Sequence, residues 1–156
     1  VSIVRQPVEL VSLLNEVQDL FELPSEAAYR INVDAAMESL IYNCDRDLIL
    51  QAVVNLVHNS VSHSHERVEV VLGLSTRENE VIISVSDNGP GIPAADRERV
   101  LRRFVRLDSS RRTSGTGLGL SLVSAIANIH GGRIEMHDNS PGLRIQVHLP
   151  TTFEAA

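Results

Sequence analysis

The chain has 156 residues, enough for one domain of ordinary size with a buried core. Hydrophobic content is 43%, but there are only three Phe, two Tyr and no Trp, so Val, Ile, Leu and Ala must build that core. The formal charge of -6 argues against a duplex nucleic-acid binder, and the lone Cys44 excludes an intramolecular disulfide or a cysteine-based metal site of usual spacing.

Residues Val8 to Leu10 read as a short strand or the start of a helix. Leu10, Leu13, Leu14, Val17, Leu20 and Phe21 then recur at helical spacing until Pro24. Tyr29 to Val33 alternates like a strand, and Leu40 to Tyr42 reads as another. Asp45 is placed to cap a second helix with the stripe Ile49, Ala52, Val53, Leu56 and Val57, which fades over Ser60 to His65. Strands follow at Val68 to Leu74 and Val81 to Asp87, joined by a turn near Glu78. A Gly- and Pro-rich turn, Asn88 to Pro93, leads to a short helix ending near Phe104 and then an aperiodic, Arg- and Gly-rich stretch expected to be a mobile loop. Leu118 to His130 reads as a third main helix closed by Gly131 and Gly132, and Arg133 to His137 pairs with Leu143 to Leu149 as a hairpin. No stretch approaches a membrane span and no signal peptide opens the sequence. Its start at Val1, inside apparently structured polypeptide, marks it as an expected fragment. The expected fold is an α/β two-layer sandwich, a mixed, mostly antiparallel sheet of about five strands with helices on one face, forming a single domain over residues 1–156.

Three constellations carry candidate chemistry. Alternation along Val81 to Asp87 puts Asp87 on the apolar face with Ile83 and Val85. There it either starts an Asx turn or offers a carboxylate to an amine donor such as adenine N6, with Gly89 and Gly91 letting a flat ring approach the backbone. Asn55 and Asn59, four residues apart, share one helix face. They are either solvent-facing filler or hard oxygen ligands, Asn59 for Mg²⁺. Gly115-Thr116-Gly117-Leu118-Gly119-Leu120 enters the third helix. It lacks the preceding strand of a dinucleotide fold and the Lys of a P-loop, which leaves a capped flexible loop or a phosphate cradle at a helix start. Arg106, Arg111 and Arg112 lie on the preceding stretch, either as a solvated charge run or within reach of a γ-phosphate.

In order and spacing these segments resemble the motifs of sensor histidine kinase catalytic domains. Asn55 to Asn59 resembles the N box, Asp87-Asn88-Gly89-Pro90-Gly91-Ile92 the G1 box, Phe104-Val105-Arg106 the F box and Gly115 to Leu120 the G2 box; His130-Gly131-Gly132 and a closing hairpin at Leu149-Pro150 are also typical. The resemblance spans essentially the whole chain. It implies the Bergerat ATP-binding fold of the GHKL superfamily, with ATP and Mg²⁺ as ligands. Asp87 would bind adenine N6 beside Gly89, Gly91 and Ile92, Asn59 would hold Mg²⁺, and Asn55 would arrange metal and phosphates. Gly115, Thr116, Gly117, Leu118 and Gly119 would shape the lid, with Arg106 and Arg112 reaching the transferred phosphate.

The ATPases and serine kinases of this superfamily carry Glu where Asn55 stands, so the amide favours phosphoryl transfer over hydrolysis. Ser62 replaces the basic residue usual three positions after Asn59, and Leu101 a usual Phe. The phosphoacceptor histidine belongs on a helical dimerisation domain that the sequence lacks, and His65-Glu66-Arg67 is misplaced for that role. The implied partners are that helical domain and a response regulator, the implied location is the cytoplasm, and the piece alone is expected to be monomeric. The competing readings are a degenerate nucleotide-binding regulatory module and a serine kinase or ATPase.

Overall fold

Apolar residues alternating along strands and recurring helically between them sort the described chain into seven strands and three helices. The computed structural model describes residues 3–22, 29–62, 68–89 and 116–151. In chain order the elements are β1 (Gln6–Glu9), α1 (Leu10–Phe21), β2 (Tyr29–Ala35), β3 (Ile41–Cys44) and α2 (Arg46–Ser62). They continue with β4 (Val68–Arg77), β5 (Glu80–Asp87), α3 (Thr116–Ile129), β6 (Arg133–Asp138) and β7 (Leu143–Pro150).

Five strands form one sheet in the order β2-β4-β5-β7-β6; β2 and β4 run parallel and every other pair is antiparallel. The expected mixed, mostly antiparallel sheet is therefore present, and the fold is α/β. A separate two-stranded ribbon pairs β1 with β3. All three helices pack on the sheet, α1 on β2 and β4, α2 on β4 and β5, and α3 on β6 and β7. Along β5, Val81, Ile83 and Val85 turn into this layer and are buried, as are their register neighbours Leu72 and Val147.

Helix α2 buries the predicted stripe Ile49, Ala52, Val53, Leu56 and Val57. Asp45 caps it, with Oδ1 accepting the Leu48 N–H at 3.2 Å. Helix α1 begins at an unexpected cap. Glu9 accepts the N–H groups of Val11 (2.9 Å) and Ser12 (3.1 Å) and also the Leu40 N–H (2.9 Å), which joins the helix start to the strand beside it. Leu20 departs from its expected place in the α1 stripe and is 56% exposed. Phe21, the last member of the expected stripe, does pack against the core, its ring edge-on to Tyr29 at 6.1 Å.

Candidate functional site

Asp87 closes β5, opposite the fully buried Val70 of β4 and hence on the helix-covered side of the sheet. Its two carboxylate oxygens have different surroundings. Oδ1 accepts the N–H of Gly89 at 2.9 Å and of Leu143 at 3.2 Å. Oδ2 takes no hydrogen bond from any described residue. The Asx turn, one of the two alternatives read from the sequence, is present, and it is made by Oδ1 alone among the bonds to described residues. The β6–β7 turn buttresses this point: Asn139 Nδ2 donates to the Asp87 carbonyl at 2.8 Å. Gly142 has φ +106°, and a Cβ there would overlap the same carbonyl. Asn88 Oδ1 accepts the Glu69 N–H at 2.9 Å, tying the turn after β5 to β4.

Asn55 and Asn59 are partly exposed on α2, and neither side-chain amide bonds a described residue. Asn59 Nδ2 is buried with no hydrogen-bond partner. Buried polar groups are nearly always paired, so this orphan amide calls for a ligand or a strain account. Because amide O and N exchange places by a simple flip, the same position can present an oxygen. Ser62, in contrast, is engaged: its hydroxyl donates to the His58 carbonyl at 2.7 Å, back onto its own helix.

The chain path brings these segments to one end of the molecule. At the other end, the Asp45 N–H before α2 donates to His130 Nε2, just after α3, at 3.1 Å. Since α2 and α3 also pack along one another, they run antiparallel from this junction. Asn59 lies fourteen residues beyond Asp45 and Thr116 fourteen before His130, so at 1.5 Å per residue both stand about 21 Å from it. Asn55 falls level with Leu120. Strand β6 leaves the same junction and returns about 20 Å, at 3.3 Å per residue, to the turn that holds Asp87. The Asn55–Asn59 face, the first turn of α3 and Asp87 therefore share the end of the sandwich remote from His130.

A profile of the family described as histidine kinase-, DNA gyrase B-, and HSP90-like ATPase matches residues 44–152. The chain belongs to this family. Within the family it is of the sensor histidine kinase type. It is 33% identical over 134 residues to the sensor histidine kinase WalK of Bacillus subtilis, covering 83% of this chain and 22% of that one. It is 40% identical over 121 residues to the probable sensor histidine kinase TcrY of Mycobacterium tuberculosis, covering 76% of this chain and 25% of the other. The chain thus spans about a quarter of the length of these relatives. Among solved structures, a nucleotide-free catalytic domain of histidine kinase ThkA superposes with TM-score 0.83 at 28% identity, covering 97% of this chain and 100% of that one. Full-length ShkA in complex with AMPPNP gives TM-score 0.83 at 26% identity, over 100% of this chain and 33% of that one.

In this histidine kinase-like domain, Gly91, Ile92, Arg106, Arg111, Arg112 and Gly115 lie outside the described residues. So do the short helix near Phe104 and the loop after it. Thr116, Gly117, Leu118 and Gly119 form the first turn of α3, which starts two residues earlier than its apolar pattern indicates. The glycine motif thus contributes the helix start itself, where the first four backbone N–H groups have no partner within the helix. Sequence reasoning placed Asn88 in the G1-box segment without giving it a role, and missed Asn139 and Gly142 around Asp87. Gly142 carried a signal, lying in a tight hairpin turn; for Asn139 no local pattern distinguishes a buttress from ordinary turn chemistry.

Proposed function

We propose that this domain binds Mg-ATP and presents the γ-phosphate to a histidine on a separate helical domain. The observation that carries the reading is Asp87, locked through Oδ1 while Oδ2, on the helix-covered face, takes no hydrogen bond from any described residue. A carboxylate so held is pre-oriented for one further donor, and adenine N6 supplies one, a charged hydrogen bond worth about 1.5 to 3 kcal/mol. Gly89, Gly91 and Ile92 would flank the base. The backbone N–H groups of Thr116, Gly117, Leu118 and Gly119, with Gly115 before them, favour anionic phosphate at the helix start.

The orphan amide of Asn59 fits a site that needs a hard oxygen donor, so Asn59 would hold Mg²⁺ with Asn55 arranging its surroundings. The metal would supply charge neutralisation to the phosphates. Asn55 is an amide, unable to take a proton from water at neutral pH, which favours transfer over hydrolysis. Arg106 and Arg112 would meet charge on the transferred group. The protein's contribution is then positioning and electrostatics, with little covalent chemistry at its own side chains.

The partners proposed are the phosphoacceptor helical domain of the same parent and a downstream response regulator. A histidine kinase ThkA structure in complex with the response regulator TrrA, TM-score 0.78 at 25% identity, supports the second. A cytoplasmic position, a single folding unit over residues 1–156 and a monomeric state when isolated belong to the same reading. No described helix is long and apolar enough to cross a membrane.

The test is labelling with γ-³²P-ATP and magnesium. Alone, the chain should bind ATP without labelling itself; with the histidine-bearing helical domain added, acid-labile phosphohistidine should form on that domain. Stable label on the chain's own histidines, or no transfer despite tight ATP binding, refutes the assignment; the latter outcome favours a regulatory module.

A further inference from the structure

We infer that His130 is a positioning residue for the nucleotide site, setting from the far end the relative level of the two helices that frame it. The inference rests on the nucleotide reading above. The ring is fully buried and both nitrogens are committed. Nε2 lies 3.1 Å from the Asp45 backbone nitrogen, which can only donate, so Nε2 must accept. The proton therefore sits on Nδ1, 2.8 Å from the Ile126 carbonyl, to which it donates. Only a neutral imidazole in this one tautomer satisfies both contacts.

Asp45 is where the first of those contacts reaches α2. Its carbonyl accepts the Ile49 N–H at 3.0 Å, Oδ1 accepts the Leu48 N–H, and Oδ2 accepts the Val4 N–H at 3.0 Å. The α3 side is equally fixed. Gly131 at φ +80° and Gly132 close the helix through bonds to Asn128 (2.9 Å) and Ala127 (2.8 Å), and a Cβ on Gly132 would overlap the His148 carbonyl of β7. The α3 end therefore cannot shift without moving the sheet, and His130 transmits that fixed position to the start of α2. Two rigid helices joined at this point carry any axial slip undiminished to the level of Asn59 and Thr116. Displacements of about 1 Å near reacting groups are enough to cost on the order of a hundredfold in rate.

Asp87 lies on β5, outside this linkage, so the two halves of a nucleotide should respond differently. His130→Asn keeps a donor near the Nδ1 position but leaves the Asp45 N–H without an acceptor; His130→Gln places an oxygen near the Nε2 position. We expect His130→Asn to weaken Mg-ATP binding on the order of tenfold, the scale of one unmade buried hydrogen bond. Adenosine affinity, read by NMR shift titration, should stay within about twofold in the same variant, and His130→Gln should restore the ATP affinity. Equal loss for both ligands, no loss for either, or failure of Gln to restore ATP binding overturns the positioning role. Should His130→Asn not fold, the ¹⁵N spectrum of the wild-type ring decides. The Nδ1–H tautomer is expected at neutral pH, and an Nε2–H tautomer removes the Asp45 contact and the inference with it. A wild-type chain that binds neither ligand would instead be a failure of the nucleotide reading.

Discussion

Replacing Asp87 by Asn separates its structural work from its recognition work. The amide oxygen can keep the place of Oδ1 and continue to accept from Gly89 and Leu143, so the turn after β5 survives. Those two bonds change from charged to neutral acceptor, a loss of about 1 kcal/mol in stability, or roughly 2 to 4 °C in a domain of this size. The Oδ2 position fares worse, because an NH₂ group now points where an acceptor stood. Facing the adenine amino group, it sets donor against donor, and the lost charged hydrogen bond of about 1.5 to 3 kcal/mol corresponds to roughly a ten- to hundredfold weaker complex. The same NH₂ can donate to a 6-oxo purine, so preference for ATP over GTP should shrink or reverse. Calorimetric titration with non-hydrolysable ATP and GTP analogues, beside a thermal melt, reads both effects. A folded Asp87→Asn variant that binds the ATP analogue within twofold of wild type would refute the assignment of Oδ2 to the base.

Asn59→Leu removes a buried amide nitrogen with no partner, so the fold should gain up to about 1 kcal/mol while magnesium-dependent ATP binding is lost; a melt and a titration with and without magnesium check the pair. Ser62→Ala should change ATP affinity less than twofold, since the hydroxyl is turned onto the His58 carbonyl; a loss comparable to that of Asp87→Asn in the same titration would contradict it. Acid sensitivity should come in two stages. Burial, the largest cause, holds the His130 imidazole below its ordinary 6.5, with Arg5 acting in the same direction and the Ile126 carbonyl and Asp45 opposing. A base depressed in the folded state gives its full stability above about 6.5 and loses it as pH falls toward the folded value. The carboxyls of Glu9, Glu80 and Glu135, held low chiefly by bonds from the Leu40 N–H, Arg133 and Arg133 respectively, add a second loss below about 4.5. His130→Gln should flatten the first stage and leave the second; urea midpoints measured from pH 8 to 4 would show it, and an unchanged first stage would exclude His130 as its source.

What was legible in the sequence was what local chemistry decides. The α2 stripe is buried as its spacing requires, because 3.6-residue periodicity needs no knowledge of what the helix packs against. The turn at Glu78, with φ 51°, sits where the two strand patterns stop. The inward face of Asp87 followed from counting by two along β5. The β1–β3 ribbon was not legible, since two four-residue strands separated by a helix and a third strand leave no local signature of pairing. Nor was the Glu9 cap, because Glu is no preferred N-cap residue and this one is drawn into place partly by the N–H of Leu40, just before β3.

The same division runs through the site. Residue types and spacing proposed Asp87, Asn55, Asn59 and the glycine motif, but could not say that both described bonds of the Asp87 carboxylate fall on one oxygen or that one amide atom of Asn59 is buried and unpaired. Those are tertiary facts, and they bear on function more closely than the identities do. An Asx turn that used both oxygens would leave nothing for a base, and a fully solvated Asn59 would gain nothing from a ligand. His130 shows the converse: six histidines scattered through the chain look interchangeable as letters, yet among the described ones only that at the α2–α3 junction has both nitrogens committed to backbone groups. On the proposed reading, a motif of this kind would name the residues that touch a nucleotide, while residues about 20 Å away would hold the distances between them.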